Sequence, residues 1–551
     1  MQVVYSQNGG LLVVWSAGRD TQISYSTTPP SLTVAPARAQ GTVTVPSSKS
    51  HTIRALLIAA CADGTSRIEN VLDSADAASC IAAVRALGAT VNISPGRGEA
   101  GGLSVEVIPP TGGILGGALG ERGMLSDDGG HPEPAHIDVG NSGTTLYLLT
   151  GLAALRPGGI CFDGDASIRR RSAALLHDAL RALGATVSTP SGYAPYCVSG
   201  PPQAGRTVAV ESPTSQYLSA LLLMAPLIPA PMSENSSGAT TGFDIRLLYE
   251  RPYVDMTCWW LDQQGIEYSR SGYEFFGVSA GQRYRPFERA LPGDYSSATF
   301  WFCAAAVTGG TVQVRGLAPD DVQGDRQVLE ILRELGCSVE QDAETVRVSG
   351  PMTSGGRFDL NAMPDALPAL AVAACFAPDR VELVNVPQAR EKETDRIAVM
   401  ASELARLGAR VEELTDGLVV YSARGSLAGA AAAEPSTDAG SDESARLGGA
   451  ATNTGSARLG DAATPASRIA LQGGTVSSHG DHRVAMALAV AALGACGAVT
   501  IEDAGAAAVT YPEFFTHLAQ IAPGSVQAGV GQLGSASSRN TTESTIPTDS
   551  A

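Results

Sequence analysis

Apolar helical stretches that end at a glycine and lead into a β-rich stretch recur along most of this chain. A glycine just past a helix takes the left-handed conformation that lets the backbone reverse into a strand. The spacing of roughly 70 to 95 residues is too long for a solenoid repeat and suits a compact βαβ-type unit. A general α/β protein is the alternative interpretation, because helix–glycine–strand successions are common in that class. Five units are marked by 81–87 with Gly88, 175–183 with Gly184, 254–264 with Gly265, 328–335 with Gly336 and 397–407 with Gly408. A weaker terminal helix at 511–521, without the glycine, marks a sixth, so the pattern predicts six units.

Four stretches fall outside this pattern, and we expect none of them to carry chemistry. Residues 1–31 form a polar N-terminal extension that we expect to be poorly ordered, and residues 111–134 form a Gly- and Pro-rich inserted loop. Residues 425–466 are rich in Ala, Gly and Ser, and within them the segments 444–452 and 456–464 are nearly identical. This composition indicates a low-complexity insertion. Residues 524–551 have the composition of a disordered tail.

The bulk composition predicts a soluble protein of two or more domains. The chain has 551 residues, which is too many for one hydrophobic core, and 44% of them are hydrophobic. Its net charge of −18 argues against nucleic acid or an anionic membrane as a general partner. An anionic substrate must therefore be bound by a local cluster of basic residues.

The cysteines and the apolar runs indicate a cytoplasmic protein. Nine cysteines occur singly, without a Cys-x-x-Cys pair, so we expect neither a disulfide framework nor a zinc site. The apolar runs near 11–15 and 146–155 are shorter than a membrane span. The N-terminus lacks the pattern of a secretory signal.

Lysine is rare in this chain, and both lysines lie in polar clusters. Of 37 basic residues only Lys49 and Lys392 are lysine, and the other 35 are arginine. Where arginine has replaced lysine so widely, a remaining lysine is a candidate for a position that needs a compact, titratable ammonium group. Both lysines precede apolar helical patterns, as expected of anion sites at helix N-termini.

Seven polar motifs in all lie at the predicted starts of helices. Singly, each has a simpler interpretation: Thr214 or Asp365 can be a helix cap, a glycine-rich loop a turn, and a run of arginines a solvated face. Four of the seven carry cations or histidine, and together the seven predict one site for a strongly anionic ligand or two. The motifs are Lys49 and Ser50 with Arg54; 138–145 with Gly143; Arg169, Arg170 and Arg171; 213–217 with Thr214, Ser215 and Gln216; 363–365 with Asp365; 392–396 with Lys392, Glu393 and Arg396; and 479–483 with Arg483.

In this order the motifs resemble those of the 5-enolpyruvylshikimate-3-phosphate synthase family of enolpyruvyl transferases, over about residues 33–521 without the two insertions. The resemblance implies an α/β fold of two domains, each with three βαβαββ-like units around a pseudo-threefold axis. That agrees with the six units inferred from the glycines. One domain would be 48–292, and the other would combine 32–47 with 293–523.

The resemblance also implies an activity. The family transfers the enolpyruvyl group of phosphoenolpyruvate to the 5-hydroxyl of shikimate 3-phosphate and releases phosphate, in the shikimate pathway to chorismate and the aromatic amino acids. Both substrates are polyanions, as a basic cluster in an acidic protein requires. The resemblance implies no metal and no organic cofactor, no nucleic-acid or membrane partner, and a cytoplasmic monomer.

Residue roles follow from the positions that match the family motifs. Shikimate 3-phosphate would be bound by Lys49, Ser50, Arg54, Thr214, Ser215, Gln216, Asp365, Gln388 and Lys392. Phosphoenolpyruvate would be bound by Lys49, Gly143, Arg171, Gln216, Arg396 and Arg483. The catalytic residues would be Asp365, which accepts the proton of the attacking hydroxyl, Glu393, which transfers a proton at the methylene carbon, and Lys49.

Four positions depart from the family pattern. Val509 stands where a lysine is usual, Tyr147 where an arginine is frequent, Glu250 where a serine is common and Gln388 where an asparagine is common. Loss of one charged hydrogen bond costs about 1.5–3 kcal/mol, which is roughly ten- to a hundredfold in affinity or rate. Such losses predict a slower enzyme rather than an inactive one.

Two alternative functions are compatible with the motifs. One is the related transferase that uses UDP-N-acetylglucosamine as acceptor, which typically has Lys-Asn where this chain has Lys49-Ser50, and a reactive loop cysteine. Cys80 and Cys161 lie in or beside apolar segments, where we expect them to be core residues. The other alternative is a non-catalytic binding protein on the same fold, which Val509, Tyr147 and Glu250 would favour.

Overall fold

The computed structural model describes residues 31–96, 102–111, 133–230, 239–343, 345–421 and 471–528 of the chain. Nearer the N-terminus it describes the backbone of a three-stranded antiparallel sheet, formed by Gln2–Tyr5, Leu11–Ala17 and Asp20–Tyr25. The predicted poor order of 1–31 stays a prediction. The insertion at 425–466, nearly all of the loop at 111–134 and most of the tail lie outside the described residues.

Six four-stranded sheets share one topology in the described part of the chain. In each sheet one edge strand pairs in parallel with its neighbour, and the other two pairings are antiparallel. This recurrence confirms the prediction of six repeated units.

Three of these sheets are formed by residues 66–290 and three by residues 31–44 together with 311–528. We call residues 48–292 the first half of the chain, and residues 31–47 together with 293–528 the second half. The first-half sheets, in spatial order, are Glu288–Ala290, Ser66–Val71, Leu103–Ile108 and Thr90–Pro95; Thr186–Ser188, Tyr196–Ser199, Ile160–Asp163 and Ala135–Asp138; and Thr207–Ser212, Thr240–Leu248, Phe275–Ser279 and Tyr268–Ser271. The second-half sheets are Ser338–Gln341, Thr345–Ser349, Thr311–Arg315 and Gln40–Thr44; Gly356–Asp359, Val381–Val384, Gly417–Tyr421 and Arg410–Leu414; and Gly474–Ser477, Val499–Glu502, Ser31–Val34 and Val526–Ala528.

The α-helices of the described residues are of two kinds, which alternate along the chain. Six are buried along almost their whole length because small and branched apolar residues cover every face: Lys49–Cys61, Gly143–Ala153, Ser215–Met224, Tyr295–Thr308, Leu367–Ala374 and His482–Gly494. Six others have exposed polar faces: Ala75–Ala86, Ala174–Ala182, Arg251–Gln263, Val328–Glu334, Arg396–Arg406 and Phe514–Ile521. Five of the helices with an exposed face are followed by the glycines noted in the sequence, and these glycines have φ between 67° and 102°, as predicted.

The buried apolar residues form two separate clusters. One cluster is built from residues between Ile53 and Leu291, and the other from 32–45 together with 295–522. The two segments that connect the halves lie side by side, because Ser48 N donates to Pro292 O at 2.9 Å and Asp294 N donates to Pro46 O at 2.9 Å. This division supports the predicted two-domain organisation, and its boundaries stay a prediction.

One expectation about the cysteines is wrong. Cys161 and Cys197 form a disulfide between two neighbouring antiparallel strands, so Cys161 is not a free core cysteine. The residues are 36 positions apart in sequence and become neighbours only through strand pairing, which cysteine spacing does not reveal. Cys80 is buried and free, as expected of a core residue. None of the helices in the described ranges is long and apolar enough to cross a membrane.

Candidate active site

All seven polar motifs contribute to one cleft between the two halves of the chain. Its first-half lining consists of Lys49, Ser50, Arg54, Asp76, Gly143, Thr144, Arg171, Ser215, Gln216, Glu250 and Tyr253. Its second-half lining consists of Asp365, Lys392, Glu393, Arg396 and Arg483. Six of these sixteen side chains are cationic, although the whole protein carries a net charge of −18. The cleft is therefore a local anion site in an acidic protein.

Helix N-termini bring these residues together. Ser48, Ser142, Thr214 and Asp481 are the N-caps of four buried helices, and each side chain accepts a backbone N–H of the first turn. The residues just after these caps line the cleft, so the positive ends of the helix dipoles act on its contents. The apolar bodies of the helices explain the placement, because only their polar first turns can face a solvated space.

Lys49 and Arg54 both lie on the first of these helices, Lys49–Cys61, and differ in their partners. Lys49 Nζ is 3.2 Å from Asp76 Oδ2, and its side chain is partly exposed to the cleft. The Arg54 guanidinium is buried and donates to Thr257 Oγ1, Ser219 Oγ and the carbonyl oxygens of Ser50 and Tyr253. Because no carboxylate is among these acceptors, burial lowers the pKa of Arg54 to about 10.

The approach of Arg171 explains the glycine at position 143. A Cβ atom on Gly143 would lie 2.5 Å from Arg171 Nη1, which is closer than any side chain allows. Arg171 Nη2 donates to Ser167 Oγ at 3.0 Å and lies 3.3 Å from Glu393 Oε1. Of the three consecutive arginines only Arg171 reaches the cleft, while Arg169 forms an exposed pair with Asp163.

Glu250 links the start of the helix Ser215–Met224 to Lys392. Glu250 Oε2 accepts from Ser215 N at 3.0 Å, Ser215 Oγ at 2.8 Å and Thr214 Oγ1 at 3.1 Å. Its other oxygen accepts from Lys392 Nζ at 2.5 Å. Gln216 Nε2 donates to Thr214 Oγ1 at 2.9 Å, so the same hydroxyl links the glutamine to this group.

Asp365 lies between two arginines. Arg396 Nη1 donates to Asp365 Oδ1 at 2.7 Å, and Arg483 Nη2 is 2.9 Å from Asp365 Oδ2. Burial alone would raise the pKa of Asp365, but Arg483, Lys392 and Arg396 together lower that pKa well below its usual range. Asp365 is therefore a carboxylate at neutral pH in the free protein.

Arg396 also donates to two further carboxylates, those of Asp481 and Glu393. Asp481 Oδ2 accepts from Arg396 Nε at 2.9 Å, and Glu393 Oε2 accepts from Arg396 Nη2 at 2.5 Å. Burial would raise the pKa of Glu393, but Arg396 and Arg171 lower it well below its ordinary value. Burial would lower the pKa of Arg396, and the carboxylates of Asp481, Glu393 and Asp365 more than reverse this.

Two buried donors in the cleft have no partner in the part of the chain that the structure describes. Arg171 Nε and Arg483 Nε lack a hydrogen-bond acceptor among the described residues. A buried unpaired guanidinium N–H costs free energy, so such groups usually have a ligand or functional partner. Both arginines are therefore positioned to bind an additional anion.

An adjoining cavity of about 430 Å³ contains the two predicted site residues that do not line the main cleft. These are Thr214 and Gln388, and the cavity shares Arg171, Gln216 and Lys392 with the cleft. Gln388 Nε2 donates to Asn361 O at 3.1 Å, while its buried Oε1 has no partner among the described residues.

The departures from the family pattern are also visible in the structure. Tyr147 is buried in the wall of the adjoining cavity and donates to Ser172 O at 3.0 Å, so its hydroxyl is directed to the backbone. Val509 ends the short helix Ala504–Val509 and is partly buried. The cations that line the cleft within the described residues are those of the predicted motifs, so no further arginine stands in for a lysine at 509.

Sequence reasoning missed several cleft residues, notably Asp76 and Tyr253. Asp76 is an acidic residue in the first turn of a helix with Ser74 as N-cap, which is an ordinary capping pattern. Nothing in the sequence distinguishes it from other such residues. Across the described ranges, no three His, Cys, Asp or Glu side chains are grouped as a metal site would require.

Comparison with known proteins gives a consistent result. The sequence model of the family described as EPSP synthase (3-phosphoshikimate 1-carboxyvinyltransferase) matches residues 34–100, 125–434 and 436–518. A 3-phosphoshikimate 1-carboxyvinyltransferase of Acetivibrio thermocellus is 38% identical over 89% of this chain and 97% of its own length. One from Methanocella arvoryzae is 34% identical over 87% of this chain and 96% of its own. The solved EPSP synthase of Acinetobacter baumannii has a similar fold, with a TM-score of 0.64 at 23% identity, and covers 90% of this chain and 99% of that one.

Proposed function

The chain belongs to the EPSP synthase family, and we propose on that premise that it transfers the enolpyruvyl group of phosphoenolpyruvate to the 5-hydroxyl of shikimate 3-phosphate and releases phosphate. The observation that carries the proposal is the convergence of all seven polar motifs on one cleft that contains both cations and carboxylates. The family match disfavours the UDP-N-acetylglucosamine transferase and the non-catalytic protein. The proposal includes a cytoplasmic monomer that needs no other partner.

Phosphoenolpyruvate binds among Lys49, Gly143, Gln216 and the three arginines Arg171, Arg396 and Arg483. The Nε atoms of Arg171 and Arg483, which have no acceptor within the described ranges, can donate to its phosphate or carboxylate oxygens. Gly143 is required there because a side chain would displace the Arg171 guanidinium. The donor's negative charge is compensated by cations that are already fixed in position.

Shikimate 3-phosphate binds on the side of Lys392 and the helix start at Ser215. Thr214, Ser215 and Gln216 supply hydroxyl, amide and backbone donors at a helix N-terminus, a group suited to a phosphate. Lys49, Ser50 and Arg54 extend the site on one side, and Gln388 on the other. Asp365 would accept a hydrogen bond from the ring hydroxyl.

Bound phosphoenolpyruvate makes Asp365 a stronger base. In the free cleft Arg396 and Arg483 lower the pKa of Asp365, and these are the arginines that the donor's anionic groups engage. When the arginines turn part of their charge toward the substrate, the pKa of Asp365 rises toward the range in which it accepts a proton. Basicity then appears only in the loaded cleft.

The chemistry is an addition followed by an elimination. Asp365 accepts the proton as the 5-hydroxyl oxygen bonds to C2 of phosphoenolpyruvate. Glu393 becomes protonated once the donor's anionic groups engage Arg396 and Arg171, and it passes its proton to the methylene carbon. The C2–O bond to phosphate then breaks, phosphate leaves with the bonding electrons and takes up the proton from Asp365, and the methyl group returns one proton to Glu393. Lys49, Arg171 and Arg396 stabilise the charge on the tetrahedral intermediate and the leaving phosphate.

Product analysis tests this function directly. The purified protein is mixed with phosphoenolpyruvate and either shikimate 3-phosphate or UDP-N-acetylglucosamine, and the products are identified by mass spectrometry. We expect the enolpyruvyl ether of shikimate 3-phosphate in the first mixture and no enolpyruvyl product in the second. An enolpyruvyl sugar nucleotide, or no product from either acceptor, would refute the proposal.

A further inference from the structure

Glu250 presents a carboxylate to the donors that the proposed function assigns to the acceptor's phosphate. One oxygen accepts from the Ser215 amide, the Ser215 hydroxyl and the Thr214 hydroxyl, at 3.0, 2.8 and 3.1 Å. The other accepts from the Lys392 ammonium at 2.5 Å. A helix-start amide, two hydroxyls and an ammonium are a typical set of ligands for a phosphate. In the free protein a carboxylate occupies this set.

The backbone fixes Glu250 in this position. Its φ is 57°, in the left-handed region that a residue with a side chain rarely adopts, directly before the helix Arg251–Gln263. Its backbone N–H donates to Asn361 Oδ1 at 3.3 Å, and its carbonyl accepts from Tyr253 N at 3.0 Å. Such a conformation persists only where the surroundings impose it, and here both halves of the chain contribute to it.

A phosphate and the Glu250 carboxylate cannot use these donors together. The side chain of Glu250 is only 3% exposed, so solvent screens little of the repulsion between the two anions. Binding of the acceptor must therefore displace the carboxylate and break its ion pair with Lys392. The free energy of that displacement is subtracted from the affinity for the phosphate group.

We propose that Glu250 is an internal competitor for the phosphate group of the acceptor and thereby sets how strongly this protein prefers a phosphorylated over an unphosphorylated acceptor. This inference rests on the proposed function. An acceptor without the phosphate does not have to displace Glu250. Glu250 therefore reduces the difference in affinity between the phosphorylated and the unphosphorylated acceptor. Its role is one of specificity and not of proton transfer.

Calorimetric titration of shikimate 3-phosphate and of shikimate into wild type and Glu250→Gln tests the inference. Glutamine keeps the size of the side chain and an acceptor oxygen but removes the charge. We expect shikimate 3-phosphate to bind at least about tenfold more tightly to the variant, as for one charged hydrogen-bond contact. Shikimate affinity should change much less. Glu250→Ser, which removes the carboxylate altogether, should show the same direction and serves if the glutamine variant folds poorly.

Asp76→Asn is the matched control. It also removes one negative charge from the cleft, but Asp76 pairs with Lys49 and not with Lys392. The ratio of the two affinities should rise clearly less than in Glu250→Gln. An equal rise in the control would overturn the inference, because the effect would then not be specific to the carboxylate that occupies the phosphate donors.

The remaining outcomes separate this inference from the proposed function. If wild type forms the enolpyruvyl product but both Glu250 variants bind shikimate 3-phosphate equally or more weakly, Glu250 supports its neighbours and the competitor role is refuted. If neither wild type nor variants bind shikimate 3-phosphate, the proposed function itself fails and the inference falls with it.

Discussion

Arg171 and Glu393 form an ion pair, with 3.3 Å between Nη2 and Oε1, that connects the two halves of the chain across the cleft. Lys392 and Glu250 form a second such pair. In both pairs, the cation belongs to the proposed substrate site, and the carboxylate comes from the opposite half. The free protein thus neutralises its anion site with its own carboxylates, and substrates must replace them.

These pairs predict a conformational response. Arg171→Gln and Lys392→Gln each remove one contact between the halves, so the radius of gyration of the free variants should exceed that of wild type. Both substrates together should compact wild type, because they bridge the two halves and exclude water from the intermediate. Small-angle X-ray scattering measures both effects. Profiles that respond to neither substitution nor substrates would show that closure plays no part.

Gly143→Ala should weaken the binding of phosphoenolpyruvate selectively. The added Cβ would stand 2.5 Å from Arg171 Nη1 and force the guanidinium away. We expect the KM for phosphoenolpyruvate to rise about tenfold or more, as for one charged hydrogen bond. The dissociation constant of shikimate 3-phosphate should change little.

The control for this substitution is Gly474→Ala, where the nearest atom to a new Cβ is Leu407 Cδ2 at 3.6 Å. Its KM for phosphoenolpyruvate should stay at the wild-type value. Equal effects of the two substitutions would argue against the steric explanation.

Asp325 should make stability depend on pH in a defined direction. Burial and the nearby Asp365 raise the pKa of Asp325 to about 6, against the lowering effect of Arg483 and of the hydrogen bond from Tyr253. A carboxyl whose pKa is higher in the folded state favours folding at low pH, and that contribution is lost as the pH rises through 6. Between pH 4 and 7, the free energy of unfolding of wild type should therefore fall, relative to that of Asp325→Asn, by on the order of 2–3 kcal/mol.

Denaturant unfolding of wild type and Asp325→Asn at several pH values measures this difference. Other carboxylates have lowered pKa values, so they make the protein more stable as the pH rises. Their contributions cancel when the free energy of unfolding of the variant is subtracted from that of wild type. A difference that is constant over pH 4–7, or that changes in favour of wild type as the pH rises, would contradict the assignment.

The disulfide between Cys161 and Cys197 predicts a thiol count and a stability effect. Titration of the denatured, unreduced protein should find seven thiols, because nine cysteines include one disulfide pair. Reduction should destabilise the protein by up to about 4 kcal/mol for a loop of this length. The double variant Cys161→Ser with Cys197→Ser should be insensitive to reductant. Nine thiols before reduction would show that the bond does not form.

The repeat and the site were predictable because both depend on local signals. The left-handed glycines at 88, 184, 265, 336 and 408 end helices in a way that a single sequence reveals. The polar motifs stand out because they interrupt apolar helices at their first turns, where anion-binding groups collect. The family order of the motifs then supplied what spacing alone could not, namely which half each unit belongs to.

The remaining features depend on contacts between residues far apart in sequence. Nothing local indicates that Glu250 meets Lys392, which lies 142 positions away, or that Asp76 pairs with Lys49. The disulfide was missed for the same reason. Among the three arginines, the family resemblance singled out Arg171, which reaches the cleft, but no local signal separates it from Arg169, which is solvated.

The most direct test of the account is the release of inorganic phosphate from phosphoenolpyruvate, measured with wild type, Asp365→Asn and Asp244→Asn. Asp365 is the proposed base, whereas Asp244 forms an exposed pair with Arg246 outside the cleft. We predict release that requires shikimate 3-phosphate, persists in Asp244→Asn and falls by at least about a hundredfold in Asp365→Asn, as expected for loss of a general base. Release that does not depend on shikimate 3-phosphate, or that survives in Asp365→Asn at the wild-type rate, would contradict the account.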